Sequence, residues 1–360
     1  MFLLSLNLEH YRNVVSAKLD FSSKRIFFVG PNGQGKTNLL EAIGLSSNLR
    51  SFRKSGMDGL VMEGAKFSRI FYKFECSSNN NYEILLGFEN KGNKTLEVDG
   101  EKIKRFASYL GQFPSVCMSS RDFKLVREGP SERRKWLDIV LASASQNYFQ
   151  VLQSFHRAMK ERNSILKNNG SDHELDAFEQ ILIPNAIELI RLREEAIPEL
   201  SKLLKKYYSS LTGYQEDASL KLLPNSEIEG DGNNFTERLL SNRLKDRQYG
   251  TTSIGPHKDD LKLTIDGKDA KTFASEGQQK GLVLGLRFAE FDFVRQKTGR
   301  IPMIIADDVL GELDYERRKK FEDLVPEDAQ FFASGTEFPF DKNLNDWQIF
   351  DVANGTFSSR

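Results

Sequence analysis

The spacing of apolar residues divides the chain into a strand-rich beginning, a helical middle and a mixed end. At residues 2–8, apolar and polar positions alternate, which predicts a half-buried strand, and short apolar runs of similar length follow it. Asp99-Gly100 stands between two alternating runs and predicts a β-hairpin. The strands predicted in this part are 2–8, 15–21, 25–29, 68–76, 82–88 and 114–118.

The middle of the chain has the three-and-four spacing of helices. This pattern is nearly continuous over residues 131–211 and predicts two long helices that form an arm. Ser171 or Asp172 could cap the second helix, and Pro184 and Pro198 are expected to kink or break it. The heptads are too irregular and too short for a long coiled coil.

The last part returns to alternating strands and helices, which together with the beginning indicates the α/β class. A strand at 260–266, a helix at 276–297 and a buried strand at 301–308 are predicted, followed by a helix and two further strands. The expected division is a β-rich lobe over 1–124, a helical arm over 125–249 and a second head segment over 250–360.

Composition narrows the choice of partners and compartment. Lys plus Arg and Asp plus Glu are both 51, so the formal net charge is zero and any nucleic acid must be held by local basic patches. Cys76 and Cys117 have no zinc or disulfide spacing, which predicts reduced thiols in a cytoplasmic protein. No apolar run reaches about eighteen residues, and the N-terminus lacks the basic start of a signal peptide, so no membrane association is expected.

A glycine-rich stretch after the third predicted strand fits the pattern GxxxxGK[ST]. Its glycines allow successive backbone N–H groups to point at phosphate oxygens, and the following helix presents its positive end. Lys36 would reach the β- and γ-phosphates, and Thr37 would bind Mg²⁺. We therefore expect ATP and Mg²⁺ as cofactors. The expected nucleotide contacts in this stretch are Gly30, Pro31, Asn32, Gly33, Gln34, Gly35, Lys36, Thr37 and Asn38.

Two acids follow an apolar strand near the end of the chain. In an open parallel sheet, the carboxyl ends of strands are where ligands bind, and Asp307 and Asp308 would lie there. Asp307 is expected to hold Mg²⁺, and Asp308 to orient or deprotonate an attacking water.

The segment Ser275-Glu276-Gly277-Gln278 admits two interpretations. Ser275 and Gln278 form a capping-box pair, which is a sufficient structural reason for both. However, the order phosphate loop, Ser-x-Gly-Gln, two-acid strand and the stretch 311–314 resembles that of ABC-type ATPases. The resemblance implies that Ser275, Gly277 and Gln278 contact ATP held by a second copy, through a helix N-terminus directed at the γ-phosphate.

Several longer stretches make the resemblance more specific. The chain resembles the RecF family of bacterial recombination-mediator ATPases over nearly its full length. That family has an ABC/SMC-type P-loop ATPase head with a helical arm. The matching stretches are 8–13, 30–43, 51–53, 125–138, 159–166, 255–261, 273–281 and 307–314.

The resemblance implies a function in recombinational repair and replication-fork maintenance. It implies ATP-dependent dimerisation on DNA at gaps or single-strand/double-strand junctions, and recombinase loading with RecO, RecR and RecA. A weak DNA-stimulated ATPase is expected, with Lys36, Asp307, Asp308 and the partner copy's Ser275 as catalytic groups. Arg12, in the first matching stretch, is expected to contact the nucleotide.

Some stretches depart from the family pattern or leave their role open. Residues 117–123 differ from the usual sequence, so no role is assigned to Ser119–Asp122. The segment 331–338 lacks the histidine that many ABC ATPases place near the γ-phosphate. No role is assigned to His257–Asp260, and no metal is expected there.

Basic residues just after the phosphate-loop helix are candidates for DNA contact. Arg50, Arg53 and Lys54 would bind phosphates in a sequence-independent, salt-sensitive way. For Arg50 and Arg53, this interpretation and a solvated surface weigh about equally. Arg133 and Arg134 lie among helical acids, so an internal ion pair is as good an interpretation as DNA contact.

Two alternative functions remain at this point. The first is a stand-alone ATPase of the phage-defence or toxin–antitoxin type, although no acid cluster for a two-metal nuclease follows the head. The second is a DNA scaffold that keeps ATP as a ligand, because Asp308 stands where glutamate is more usual and would slow hydrolysis. Phosphate release with and without gapped DNA separates the scaffold from the ATPase.

Overall fold

The computed structural model describes most of the chain and divides it into two compact units. The α/β class predicted from the sequence is confirmed. The units are Met1–Asp122 with Glu290–Arg360, and Phe123–Ala289. The described residues are 1–53, 57–76, 80–90, 92–213, 215–230, 232–340 and 346–360, and the side chains of residues 57 and 58 are also outside the description.

The described residues contain strands throughout and helices mainly in the middle. The strands are β1 (Phe2–Tyr11), β2 (Val14–Asp20), β3 (Arg25–Val29), β4 (Phe67–Glu75), β5 (Asn81–Glu89), β6 (Lys94–Val98), β7 (Glu101–Lys102), β8 (Ser115–Ser119), β9 (Ala218–Leu223), β10 (Asp260–Ile265), β11 (Lys268–Asp269), β12 (Met303–Asp307), β13 (Phe331–Gly335), β14 (Trp347–Ala353) and β15 (Thr356–Ser359). The helices are α1 (Lys36–Asn48), α2 (Lys124–Arg127), α3 (Pro130–Ala144), α4 (Gln146–Lys167), α5 (Asp172–Thr212), α6 (Asn233–Ser241), α7 (Arg243–Tyr249), α8 (Ala270–Phe273), α9 (Glu276–Thr298) and α10 (Tyr315–Leu324).

The first unit contains two sheets, α1, the last part of α9 and α10. One sheet is antiparallel with strand order β2-β1-β4-β5-β6-β7, and the other has the order β15-β14-β3-β13-β12-β8, with parallel pairing from β14 to β8. Leu39 and Ile43 of α1 lie in one core with Ile70 of the first sheet and Ile305 of the second. Every residue of β12 is buried, which is typical of a central parallel strand and explains its continuous apolar run.

The second unit is built on the long helices α4 and α5. Ser171, not Asp172, is the N-cap of α5, and its capping box with Glu174 is complete. The helix continues through Pro184 and Pro198, so the alternative of a break at these prolines is wrong, and the alternative of a kink stays a prediction. Its buried face explains this result, because tertiary packing along the helix outweighs the hydrogen bonds that the prolines cannot donate.

Among the elements of the second unit that were not predicted from the sequence are β9, α6 and α7. β9 is stabilised by antiparallel pairing with β10, a partner about forty residues away along the chain, which local periodicity does not reveal. Helices α6 and α7 follow the predicted loop 224–234 and overlap its end at Asn233. They are short helices, whose pattern is weak in a sequence.

The units divide the chain differently from the three expected segments. The expected boundary after residue 124 falls close to the observed one after Asp122. The expected boundary after residue 249 has no counterpart, because β10 pairs with β9 and residues 250–289 remain in the second unit. Within the described ranges, no helix is long and apolar enough to cross a membrane.

Candidate functional site

The predicted phosphate loop lies between β3 and α1 in the first unit, and its glycines are required by geometry. A Cβ on Gly30 would lie 2.3 Å from the carbonyl oxygen of Val352. Gly33 has φ 82°, and Gly35, the N-cap of α1, has φ 117°. Side-chain-bearing residues rarely adopt these conformations, which curl the backbone so that amides can face a phosphate.

Lys36 lies at the first position of α1 and is 3% exposed. Its Nζ donates to the carbonyl oxygens of Gly30 (2.7 Å) and Pro31 (3.0 Å), so the ammonium group stays over the loop. A neutral carbonyl does not neutralise the lysine charge. The ammonium and the helix N-terminus therefore both favour an anion at this point.

Gln34 has a structural contact that the sequence did not indicate. Its Oε1 accepts from the backbone N–H of Asn354 (2.7 Å), and its carbonyl oxygen accepts from the N–H of Gly355 (2.9 Å). Both donors belong to the turn between β14 and β15. Gln34 thus fixes the loop to the end of the chain, whereas Pro31 and Asn32 are exposed.

The two predicted magnesium ligands lie together. Thr37 Oγ1 donates to Asp307 Oδ1 at 2.9 Å. Burial raises the pKa of the Asp307 carboxyl above its usual value, and the charge of Asp308 adds to the increase, whereas the hydrogen bond from Thr37 opposes it. A hydroxyl and a carboxylate at this separation are hard oxygen ligands of the kind that Mg²⁺ prefers, so these residues fit the ion.

Asp308 is held next to them in a strained conformation. Its φ is 55°, which is uncommon outside glycine, and its N–H donates to Ser334 Oγ at 3.1 Å. Ser334 Oγ also donates to Asp307 Oδ1 at 3.1 Å. Sequence reasoning missed Ser334. Its position in β13, the parallel neighbour of β12, is the signal that could have identified it.

Arg12 is held by a buried carboxylate. Its Nη2 donates to Glu41 Oε1 at 2.7 Å, its Nε bonds Glu41 Oε2, and its Nη1 donates to the carbonyl oxygen of Gly59 at 2.9 Å. Burial would lower the Arg12 pKa, but the hydrogen bonds and charge of Glu41 raise it above its usual value. Tyr11 OH also donates to Glu41 Oε2 at 2.8 Å. None of these contacts tests whether Arg12 binds the nucleotide, so this role stays a prediction.

The predicted DNA residues differ in their surroundings. Arg53 donates to Asn38 Oδ1, and Asn38 directly follows the predicted magnesium ligand Thr37. The pKa of Asp307 is raised mainly by burial, and the Arg53 charge is one of the smaller causes that oppose this rise. Arg50 is exposed and helps to lower the pKa of Lys94 to about 8, for which burial is the larger cause. Lys54 lies outside the described residues.

The Ser-x-Gly-Gln segment belongs to the second unit and opens α9. Ser275 N donates to Gln278 Oε1 (2.7 Å), and Gln278 N donates to Ser275 Oγ (3.3 Å), which is the predicted capping box. Gln278 Nε2 also donates to Glu216 Oε1 at 2.7 Å. Ser275 itself is exposed, and Gly277 follows it in the first turn of the helix.

Two further segments recognised in the sequence have local capping contacts. Asp122 Oδ2 accepts from the N–H of Ser119 at 2.8 Å, so it stabilises the turn after β8. Asp314 is the N-cap of α10, and its Oδ1 accepts from the N–H of Arg317 at 2.9 Å.

Three arginines of the second unit make internal contacts with Asp259 and Asp260. Arg133 forms a two-pronged pair with Asp260, Nε to Oδ1 at 2.7 Å and Nη2 to Oδ2 at 2.9 Å. Arg193 Nη1 donates to Asp259 Oδ2 at 2.7 Å, and Arg134 Nη1 donates to the Asp259 carbonyl at 2.6 Å. Of the two open interpretations of Arg133, the geometry therefore favours the ion pair.

A second group of charges, formed by Arg162, Glu179 and Asp246, is buried, and His257 of the same unit is partly buried. Arg162 has no exposed surface and donates to Glu179 Oε1 and Asp246 Oδ2, both at 2.8 Å. His257 Nε2 lies 2.9 Å from the Thr252 carbonyl oxygen. Burial lowers the pKa of His257 to about 4, with the charge of nearby Lys258 and others adding to the decrease.

The sequence matches one family model and is similar to curated proteins of one name. The family model described as "RecF/RecN/SMC N terminal domain" matches residues 2–344. A curated relative from Cyanothece sp. (strain PCC 7425 / ATCC 29141), "DNA replication and repair protein RecF", is 35% identical over 99% of this chain and 97% of its own length. A relative of the same name from Leptospira biflexa serovar Patoc is 34% identical over 94% of this chain and 92% of its own.

Solved structures agree with the sequence relatives. The chain superposes on the structure of "the recombination mediator protein RecF-ATP in RecFOR pathway" with a TM-score of 0.92 and 29% identity, covering 100% of this chain and 97% of that one. The RecF-ATPrS structure gives a TM-score of 0.89 at 29% identity, covering 99% and 98%. An Smc head bound to a ScpA domain matches with a TM-score of 0.59, 16% identity and coverage of 100% and 97%, which shows likeness of fold.

Proposed function

The chain belongs to the RecF family, and from this membership we propose that it is an ATP-binding protein of DNA replication and repair. Its ATP would be held between two copies of the chain on DNA, at gaps or single-strand/double-strand junctions. The single observation that supports this most is the hydrogen bond from Thr37 to Asp307, next to a phosphate loop that carries Lys36.

Five residues at the phosphate loop and the ends of β12 and β13 have distinct roles in the proposed chemistry. Lys36 binds the β- and γ-phosphate oxygens, and the hydroxyl of Thr37 and the carboxylate of Asp307 hold Mg²⁺. When bound, the ion neutralises charge that develops on the phosphate oxygens. Asp308 orients the attacking water and accepts its proton, while Ser334 keeps the Asp308 backbone in place.

The second copy would complete the site. Ser275 stands exposed at the N-terminus of the 23-residue helix α9, where the helix dipole favours an anion. We propose that Ser275 and Gly277 contact the γ-phosphate held by the partner copy. Gln278 would keep this helix start in shape through its bonds to Ser275 and Glu216.

The proposed partners are DNA and the other mediators of the pathway. RecF structures are described as belonging to the RecFOR pathway, so RecO and RecR are the expected co-mediators and RecA the recombinase. Arg53 and Arg50 supply the proposed phosphate contacts. Because the net charge is zero, such contacts must be local. They weaken with salt, because phosphate contacts release counterions.

The test is DNA binding measured against nucleotide state. Fluorescence anisotropy with single-stranded, duplex and gapped oligonucleotides, with and without ATP and Mg²⁺, is repeated over a range of salt. The proposal expects tighter binding with ATP, strongest at the gap, and phosphate release that gapped DNA increases. ATP-independent binding without preference contradicts it. Binding that depends on ATP without phosphate release favours the scaffold instead, an outcome to which the short side chain of Asp308 points.

A further inference from the structure

Glu41, which no motif singled out, connects two segments of the first unit. It is fully buried in α1, and its Oε1 accepts from Arg12 Nη2 at 2.7 Å and from Ser51 Oγ. Ser51 Oγ in turn accepts from the N–H of Arg53 at 2.9 Å. One buried carboxylate therefore holds both the turn that carries Arg12 and the segment that carries Arg53.

Asn38 makes a parallel connection one helical turn earlier. Its Nδ2 donates to Asn13 Oδ1 at 2.7 Å, and its Oδ1 accepts from Arg53. Asn38 and Glu41 are three residues apart in α1 and so share one face of the helix. Residues 12–13 and 51–53 are thus joined to α1 at the same two levels.

This face lies against the phosphate loop. Asn38 directly follows Thr37, and Asn13 Nδ2 lies 3.2 Å from the position that a Cβ on Gly35 would take. A shift of residues 12–13 therefore reaches the backbone of the loop. Arg12 has φ 51°, an uncommon conformation for arginine that the Glu41 contact helps to maintain.

We propose that Glu41 is a positioning residue that couples binding of a nucleic-acid phosphate at residues 51–53 to nucleotide affinity at the phosphate loop. The proposal rests on the proposed function, because it needs both ligands to bind. A phosphate competes well for Arg53, since its oxygens carry a negative charge and form an ion pair with the guanidinium, whereas the Asn38 amide oxygen is a neutral acceptor.

Ser51 would transmit a displacement of Arg53 to Glu41. When Arg53 turns to a phosphate, its N–H and the Ser51 hydroxyl move together, because they are hydrogen-bonded. Glu41 loses one of its donors, and a buried carboxylate is sensitive to such a loss. Arg12 and the turn that contacts Gly35 respond, which changes how the loop receives the nucleotide.

The test is a binding cycle on the full chain. Affinity for a fluorescent non-hydrolysable ATP analogue is measured with and without saturating gapped duplex oligonucleotide, and the reverse affinities are measured as a check, because coupling is reciprocal. The wild-type chain should show a coupling factor of at least about fivefold. Glu41→Gln, which keeps the size of the side chain and removes its charge, should bring the factor close to one.

Ser51→Ala separates coupling from folding. It removes the contact to residues 51–53 and leaves the Arg12–Glu41 pair intact, so the coupling factor should fall while affinity for the analogue alone changes less than about twofold. Glu9→Gln is the matched control, because it removes a charge from an exposed pair with Arg69 and should leave the coupling factor unchanged. Loss of coupling in Glu9→Gln as well would overturn the inference.

Other outcomes distinguish this inference from the proposed function. A wild-type chain that binds both ligands with a coupling factor of one overturns the inference and leaves the proposed function standing. A coupling factor that Ser51→Ala and Glu41→Gln leave unchanged also overturns the inference and leaves the proposed function standing. A wild-type chain that binds neither ligand overturns both. If Glu41→Gln unfolds, Ser51→Ala decides alone.

Discussion

The helical unit and the phosphate loop use charged side chains in opposite ways. Arg162 is enclosed in the helical unit, where Glu179 and Asp246 neutralise it. At the phosphate loop, Lys36 is nearly as deeply buried, yet it contacts carbonyl oxygens of the loop itself. In the first arrangement, carboxylates of the chain balance the positive charge. In the second, the positive charge remains available to bind a phosphate. Family resemblance identified both stretches, but only the chemistry of the contacts separates their roles.

The same contrast appears in two capping boxes of the second unit. Ser171 with Glu174 caps α5, and Ser275 with Gln278 caps α9, with nearly the same hydrogen bonds. The local structure therefore does not distinguish a helix cap from a proposed contact to a partner's nucleotide. Only a measurement of association between two copies can separate the proposed role of Ser275 from that of Ser171.

The largest expected effect is on the stability of the helical unit. Arg162→Ala leaves the buried Asp246 carboxylate without its cation and Glu179 with Arg243 alone, and we expect a loss of about 3–5 kcal/mol in the free energy of unfolding. Urea unfolding measures it. Lys205→Ala, which removes an exposed partner of Asp217, is the control and should lose no more than about 1 kcal/mol. Equal losses in the two variants would end the distinction between buried and exposed charge in this unit.

Acid should weaken the same unit through His257. Its pKa of about 4 lies below the usual 6.5, so between these values the unfolded chain binds a proton that the folded chain does not. Stability from the neutral ring is therefore present above pH 6.5 and is lost as the pH falls towards 4, by about 3 kcal/mol in total. His257→Gln should flatten this part of the unfolding-versus-pH curve. An unchanged slope would show that the ring is protonated in the folded state.

At the phosphate loop the expected effect is on binding and not on stability. Lys36→Ala removes a charged donor to the phosphates and should weaken ATP affinity on the order of a hundredfold. Isothermal titration with ATP and Mg²⁺ measures this, and the melting temperature without nucleotide should change little. Lys24→Ala, an exposed lysine just before β3, is the control and should bind as the wild type does. ATP affinity that survives Lys36→Ala would remove this residue from the site.

The two capping boxes give the smallest expected effect and the finest comparison. Ser171→Ala and Ser275→Ala should each lower stability by about 1 kcal/mol, the usual value for a lost N-cap. Only Ser275→Ala should also reduce ATP-dependent association, which sedimentation velocity measures. If both variants associate like the wild type, Ser275 is a helix cap and nothing more.

Local chemistry made part of this molecule predictable. The phosphate loop, the two-acid strand and the capping boxes depend on residues close together in the sequence, so their patterns could be read directly. The contacts of Arg162 with Asp246 and of Thr37 with Asp307 join residues far apart in the chain. The second was expected because Thr37 and Asp307 were both predicted to hold Mg²⁺, whereas no such rule indicated the first.

The sequence did not reveal what tertiary contacts alone decide. β9 forms because β10 is beside it, and α5 continues through its prolines because its apolar face is buried. Ser334 lies in no recognised stretch, and the stretch 30–43 that contains Glu41 gave this residue no role. Their importance follows from the strand and segment next to them. Arg12 was expected at the nucleotide, and its bond to Glu41 appeared only in the structure.

Static light scattering tests the central claim most directly. With a non-hydrolysable ATP analogue and Mg²⁺, the wild-type chain should reach twice the monomer mass, and it should remain a monomer without nucleotide. Ser275→Arg should stay monomeric while it still binds the analogue, because the added side chain blocks the approach of the second copy. A wild-type chain that stays at monomer mass with saturating analogue, or a Ser275→Arg variant that dimerises normally, would contradict an ATP held between two copies.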